Sequence, residues 1–217
     1  MIYLTSDLHG DLTLSGFTEY LERATDADTL IILGDTELSF RDTPENRAFT
    51  EEFLAIEKNI AIIDGNHENH PFLRSFPVEE KWGAPVYRLS PHIVCLQRGY
   101  IYEIEGKRLF IMGGCKSSDR WREWGLLYPF EEPSDEELAR AYASLDEAGG
   151  RVDFVLTHKY NKHRPEEYDD TLVHKLMRLE EYIDNNVEYK HWYYGHGHRN
   201  LEIDDRHTMV YDRLVKL

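Results

Sequence analysis

Five short polar runs hold the residues whose types and spacing could do chemistry: Asp7-Leu8-His9-Gly10, Gly34-Asp35, Gly65-Asn66-His67-Glu68, Thr157-His158 and Gly195-His196-Gly197-His198. Their donors are carboxylate and amide oxygens and imidazole nitrogens, with no thiolate among them. That set suits borderline or hard divalent cations such as manganese, iron, zinc or cobalt. Glycines beside the donors let the backbone turn sharply and approach closely. Asp7 and His9, like His196 and His198, are two residues apart, so an extended strand end would put each pair on one face. A lone Gly-Asp at a strand end is more often a turn than a site. Gly-His-Gly-His is the most specific run, because two histidines flanked by glycines have little use as loop filler. The five runs together, in order, carry the weight that none carries alone.

Each run directly follows a stretch that reads as a β-strand. Ile2 to Thr5, Thr29 to Leu33 and Ile60 to Ile63 are short apolar strands. Between them Leu14, Phe17 and Leu21 recur at helical spacing. Thr43-Pro44-Glu45 opens a second helix with Phe49, Phe53 and Ile56 on its apolar face. This βαβαβ order implies parallel strands joined by right-handed crossovers. Val86 to Leu89, His92 to Leu96, Tyr100 to Glu105 and Arg108 to Met112 read instead as antiparallel strands, with Gly106-Lys107 turning between the last two. Ser134 and Glu137 have capping-box spacing ahead of Leu138, Tyr142 and Leu145, and Gly149-Gly150 ends that helix. Val152 to Leu156 is a further buried strand, followed by a helix near Leu172 to Ile183 and a strand near Tyr189 to Tyr194. Leu201 to Leu217 returns in one or two strands. The expectation is one α/β domain over residues 1–217, with two packed sheets and helices outside. Ligands of open α/β sheets bind at the carboxyl ends of strands, so the five runs can meet in one place.

The net charge of −16 disfavours broad contact with nucleic acid, which rests on neutralising phosphates with Lys and Arg. It leaves room for a small anionic substrate, because bound metal ions outweigh a distant acidic surface. No stretch approaches the roughly 20 apolar residues that span a bilayer. The N-terminus lacks a basic region followed by a long apolar run. A cytoplasmic protein without a membrane partner is therefore expected. Cys95 and Cys115 have no CxxC partner and read as free thiols of a reducing compartment.

The series D-x-H, G-D, G-N-H-[D/E], H and G-H-x-H, running here from Asp7 to His198, resembles that of the calcineurin-like metallophosphoesterases, in particular their small bacterial and phage-associated members. The resemblance lies in short blocks spread over most of the chain. It implies a four-layer αββα sandwich, two mixed β-sheets flanked by helices. It also implies two divalent ions, one held by Asp7, His9, Asp35 and His198 and the other by Asp35, Asn66, His158 and His196, with Asp35 bridging. Manganese is the expected ion, with iron, zinc, nickel or cobalt as alternatives. Two ions roughly 3.5–4 Å apart can share a hydroxide that is nucleophilic near neutral pH. The implied reaction is direct attack of that hydroxide on phosphorus, with no phosphoenzyme. Asp35 and His67 are the expected catalytic residues. His67 would contact the phosphate and protonate the leaving oxygen, a role that suits an imidazole.

Expected substrate contacts are Asn66, His67, Asp119 and Arg120. The last two belong to a block from Gly113 to Arg120 that precedes Trp121 and Trp124. Arg120 would hold a phosphate and an indole would stack on a base; a salt bridge and simple packing explain the same residues equally well. Lys159, His163 and Arg164 read as solvated rather than cleft-lining. Glu68 reads as a partner supporting a ligand. His70, His92, His174, His191 and His207 have no motif context. The expected substrate is a small nucleotide-like phosphodiester. The rival readings are a phosphomonoesterase, a phosphoprotein phosphatase, a repair nuclease and a non-catalytic scaffold. Gly34 to Phe40 lacks the Asp and Arg of the phosphatase GDxVDRG block, and the acidic balance opposes a nuclease. All seven expected ligands are present, which opposes the scaffold.

Overall fold

The computed structural model describes residues 1–117, 128–163 and 171–217. The first half runs β1 (Ile2–Thr5), α1 (Ser15–Arg23), β2 (Thr29–Ile32), α2 (Pro44–Leu54), β3 (Ile60–Ile62), α3 (His70–Arg74), β4 (Val78–Lys81), β5 (Ala84–Arg88) and β6 (Ile93–Leu96). It continues with β7 (Ile101–Ile104), β8 (Lys107–Met112), α4 (Asp135–Glu147), β9 (Phe154–Thr157), a 3₁₀ turn (Asn161–His163), α5 (Thr171–Asn186), β10 (His191–Tyr194), β11 (Leu201–Glu202), β12 (His207–Met209) and β13 (Val215–Lys216). The strands form a seven-stranded sheet in the order β13-β1-β2-β3-β6-β5-β4 and a six-stranded sheet in the order β11-β12-β10-β9-β8-β7.

The two-residue repeat of each strand sorts its side chains between layers. Leu30 and Ile32 of β2 pack on Phe17 and Tyr20 of α1 and on Phe49 and Phe53 of α2. Ile31 points the other way, and with Leu33, Ile2 and Leu4 it meets Leu109, Ile111 and Leu156 of the second sheet. On that sheet's far face, Phe110, Val155 and Trp192 pack against Leu138 and Leu145 of α4 and Leu179 and Ile183 of α5. The result is helices, sheet, sheet, helices: a four-layer αββα sandwich with two mixed sheets. Local signals match the elements. Thr43 Oγ1 accepts from Asn46 N at 3.2 Å ahead of Pro44, and the Ser134–Glu137 capping box is formed. Among the described residues no helix is long and apolar enough to cross a membrane.

Three sequence expectations need correction. The middle strands are not a purely antiparallel block, because β6 also pairs in parallel with β3, and β8 with β9. An extra edge strand, β4, pairs with β5. Its residues Val78-Glu79-Glu80 are exposed, so they show no buried-strand pattern. The tail forms three short strands rather than one or two. Of these, β13 leaves the second sheet and runs antiparallel to β1 in the first, with Tyr3 opposite Lys216.

Beneath the strand ends lies a buried ionic network. Arg98 donates from Nε to Asp64 Oδ1 at 3.1 Å and from Nη1 to Glu137 Oε2 at 3.2 Å. Its Nη2 reaches the carbonyls of Phe130 and Glu131 at 2.9 and 3.1 Å. Burial opposes the charge on Asp64, yet the Arg98 guanidinium holds its carboxyl well below the usual range. Asp64 immediately precedes Gly65-Asn66-His67, and Glu137 caps α4, so one guanidinium ties a site loop to a helix start. Replacing one member of a buried ion cluster leaves the others uncompensated, at a cost of about 3–5 kcal/mol. Arg98→Met should lower stability by that amount, read as a lower urea midpoint with unchanged slope.

Candidate metal centre

The loops that follow β1 and β2 are zipped together by their backbones. Asp7 N donates to Gly34 O, His9 N to Asp35 O and Gly10 N to Thr36 O, at 2.9–3.2 Å. To make these bonds the chain enters the left-handed region at Asp7 (φ 57°), His9 (46°), Asp35 (55°) and Glu37 (62°), and again at His196 (66°) and His198 (49°). The expectation of extended Asp-x-His and His-x-His pairs is therefore corrected: both pairs face the site through alternate left-handed kinks. Such backbone costs on the order of 1–3 kcal/mol per residue and concentrates at functional sites. Glycine is required where the loops touch. A Cβ on Gly34 would lie 2.2 Å from His158 Nδ1, and one on Gly65 would lie 2.1 Å from Asp35 Oδ1.

All seven expected ligands converge, in two groups. In the first, the ligand atoms of Asp7, His9, Asp35 and His198 lie within 4.8 Å of one another. His9 Nε2 is 2.9 Å from His198 Nε2 and 3.6 Å from Asp35 Oδ2, and His198 Nε2 is 3.4 Å from Asp7 Oδ1. In the second, Asn66 Oδ1 is 3.1 Å from His158 Nε2 and 3.0 Å from His196 Nδ1, and the two ring nitrogens are 3.2 Å apart. His158 Nδ1–H donates to Leu33 O at 2.7 Å, which leaves its Nε2 lone pair for the group. Asn66 Nδ2 donates to Ser117 Oγ at 3.0 Å and so turns Oδ1 toward the histidines. Asp7 is held by the backbone N–H of His196, at 3.1 and 3.0 Å to its two oxygens.

Asp35 stands between the groups. Oδ2 faces His9, while Oδ1 is 3.4 Å from His158 Nε2 and accepts from His67 N at 2.8 Å. Burial opposes its charge, but the imidazoles of His158, His67, His9 and His196 hold its carboxyl well below the usual range. His9 is likewise desolvated, yet the hydrogen bond it donates to Glu37 and the charges of Asp35 and Asp7 push it up to about 9. Burial and the neighbouring His158 and Lys159 push His196 far down. Converging oxygen and imidazole donors with their lone pairs turned inward fit a divalent cation of the borderline class.

Glu37, which the sequence did not single out, joins the two halves of the site. Its Oε1 is 3.0 Å from His9 Nδ1 and 3.3 Å from His67 Nδ1. Asn46 Nδ2 donates to its carbonyl at 2.8 Å. Burial raises its pKa, but the hydrogen bonds with His67 and His9 outweigh that and hold it at about 2. Its position two residues beyond Asp35, the same step that separates Asp7 from His9, was the available signal. Glu68 accepts from Thr36 N and Thr36 Oγ1, both at 2.8 Å, and so braces the turn that carries Asp35. Burial, against those bonds, pushes its carboxyl up to about 8. A cavity of about 520 Å³ opens over the groups, lined by His9, Asp35, Glu37, Arg41, Asn66, His67, Lys116 and Ser117 together with His196 and His198. Arg41, Lys116 and Ser117 were not singled out from the sequence. Asp119, Arg120, Trp121, Trp124 and Arg164 lie outside the described residues.

An αββα sandwich with such donors gathered at its strand ends defines a class of metal-dependent hydrolases. Residues 1–200 match the calcineurin-like phosphoesterase family, and the chain belongs to it. It is thus a metal-dependent phosphoesterase. Among solved structures, the phosphopantetheinyl hydrolase of Mycobacterium tuberculosis is similar at 17% identity and a TM-score of 0.45, over 97% of this chain and 89% of that one. A protein of unknown function from Aquifex aeolicus is similar at 18% identity and a TM-score of 0.39, over 87% of each chain. Comparison with curated proteins gives no match.

Two measurements check the geometry. Asp35→Asn should lower metal affinity in both groups by more than about 100-fold, beyond the loss typical of residues one step removed from an ion. Unchanged metal content would refute its placement between them. Only neutral imidazole binds a metal, so an ion must displace the His9 proton. Apparent affinity should therefore climb by up to about tenfold per pH unit from neutrality and flatten above the His9 pKa of about 9. In the metal-free protein the same proton stabilises the fold below about 6.5, and that contribution fades as pH rises through about 9.

Proposed function

We propose that the chain hydrolyses a small, nucleotide-like phosphodiester with two divalent ions, acting as one catalytic domain over residues 1–217 in a reducing cytoplasm. The observation that carries this reading is Asp35, whose two oxygens face different donor groups, 3.6 Å from His9 and 3.4 Å from His158. Asp7, His9, Asp35 and His198 would hold one ion, and Asp35, Asn66, His158 and His196 the other. Manganese is the proposed ion, with iron, zinc, nickel and cobalt able to take the same donors. When bound, the ions supply positive charge that acidifies water and neutralises phosphate oxygens.

The chain's own residues supply the rest. His67 lines the cavity with its Nδ1–H committed to Glu37 Oε1 at 3.3 Å. Its Nε2 would give a proton to the leaving oxygen. Phe40 lies against the ring, with centroids 5.4 Å apart, and helps hold its plane. Asn66 would contact the phosphate from the cavity floor, and Asp119 and Arg120 would add contacts from beyond the described residues. The cavity, at about 520 Å³, is of the size that takes a small organic ligand. Arg41, 3.6 Å from Glu37 Oε1, is already partly neutralised, which favours a singly charged diester over a doubly charged monoester. The net charge of −16 disfavours stable nucleic-acid binding.

Loss of a general acid costs about 10²–10⁴ in rate when the leaving group is a poor one. His67→Ala should show that loss on alkyl diesters and much less on aryl diesters, in kcat, with Glu37→Gln following the same pattern more weakly. Equal losses on both substrates would remove His67 as the proton donor, and faster turnover of matched monoesters would overturn the diester assignment.

A further inference from the structure

We propose that the thiol of Cys115 is an additional metal donor beside Asn66, His158 and His196, and that it biases this position toward softer ions such as zinc and away from manganese and magnesium. The proposal rests on the reading of those three residues as ligands. It departs from the sequence expectation of a centre without sulfur, of Cys115 as an ordinary buried thiol and of manganese at both positions.

The placement of Cys115 is built in. The loop after β8 is zipped to the loop after β3 by Gly114 N donating to Asp64 O at 2.7 Å, two residues before Asn66. Cys115 is fully buried, and its Sγ is 3.1 Å from Asn66 Oδ1 and 3.8 Å from His196 Nδ1. Its sulfur and the ring nitrogens of His158 and His196 lie within 4.8 Å of one another. Zinc takes four donors and can expand to five, so Cys115 can join Asp35, Asn66, His158 and His196; with bonds of about 2.0–2.3 Å, neighbouring ligand atoms then lie about 3–4 Å apart. Five of the six separations among Asn66 Oδ1, His158 Nε2, His196 Nδ1 and Cys115 Sγ run from 3.0 to 3.8 Å, and Cys115 and His158 lie within 4.8 Å. Cys95, the other cysteine, is also buried, but its sulfur lies 3.8 Å from the carbonyl of Leu96 in the helix-facing core.

On coordination the S–H proton passes to solvent and a sulfur lone pair forms the metal–sulfur bond, the ion's own charge keeping the thiol deprotonated. Thiolate prefers zinc and cobalt to manganese or magnesium, which favour oxygen donors. One sulfur on one side of Asp35 would make the two positions unequal, the first selecting by oxygen and imidazole alone and the second by sulfur as well.

The test is the absorption spectrum of the cobalt-loaded protein. A near-ultraviolet thiolate-to-cobalt charge-transfer band is expected in the wild type and in Cys95→Ser, and not in Cys115→Ser. Visible cobalt bands without the near-ultraviolet band would overturn this inference while leaving the proposed donor groups standing. Absence of all cobalt bands would overturn both. The wild-type spectrum decides alone, so the test survives a variant that fails to fold. Zinc affinity should also fall in Cys115→Ser by at least about tenfold, the lower bound seen even for residues one step removed from an ion. Manganese affinity should hold, and equal losses for both ions would mark a packing role and overturn the proposal.

Discussion

A carboxylate taken out of water must be paired or it will not stay charged. Asp35 meets that demand from both sides of the sandwich, with His9 from the first sheet against one oxygen and His158 from the second against the other. Each donor group is therefore completed only when both sheets are in place, because His198 joins residues of the first sheet and His158 and His196 join Asn66. The bond from His158 Nδ1 to Leu33 O makes the same connection in the backbone, a first-sheet carbonyl orienting a second-sheet histidine. The apolar layer of Ile31, Leu33, Ile111 and Leu156 sets the distance at which these bonds can form. The core between the sheets thus acts as the spacer of the metal centre.

Around that constraint the loops give up backbone comfort for placement. Six of the residues that face the site are non-glycine and left-handed, and loop-to-loop hydrogen bonds hold them there. Longer, relaxed loops could present the same side chains but would leave their positions loose, and a misplacement near 1 Å is costly in catalysis. Ionic support repeats the logic one layer down. Asp64 anchors Arg98 through its side chain and Gly114 through its carbonyl, so the loops after β3 and β8 are tied together.

Much of this was legible in the sequence, because the donors are unusual residue types placed directly after apolar strands. The first three strands and the Thr43 and Ser134 helix starts announce themselves through periodicity and caps. What escaped was set by contacts across the fold. Glu37 looks like a spacer until the left-handed turn at Asp35 swings it between His9 and His67. Cys115 has no motif of its own and meets Asn66 only because Gly114 pairs with Asp64. Glu137 was legible as a cap, but its second bond, to Arg98, comes from a residue 39 positions away. The exposed residues of β4 and the crossing of β13 to the first sheet show no apolar pattern to read.

The crossing has a consequence for how the molecule comes into being. Asp212 caps α1 by accepting from Ser15 Oγ at 2.9 Å and Gly16 N at 3.0 Å, and Tyr211 O accepts from Thr5 Oγ1 at 3.0 Å. β13 closes the edge of β1, and the ring of Tyr211 stacks on His198 at 5.3 Å. Residues 196–217 are synthesised after every other part of the centre. A nascent chain on the ribosome therefore carries an open strand edge beside Asp7 and a bare helix start until that segment emerges. The same segment completes the donor groups and covers the strand edge, so neither is finished without the other.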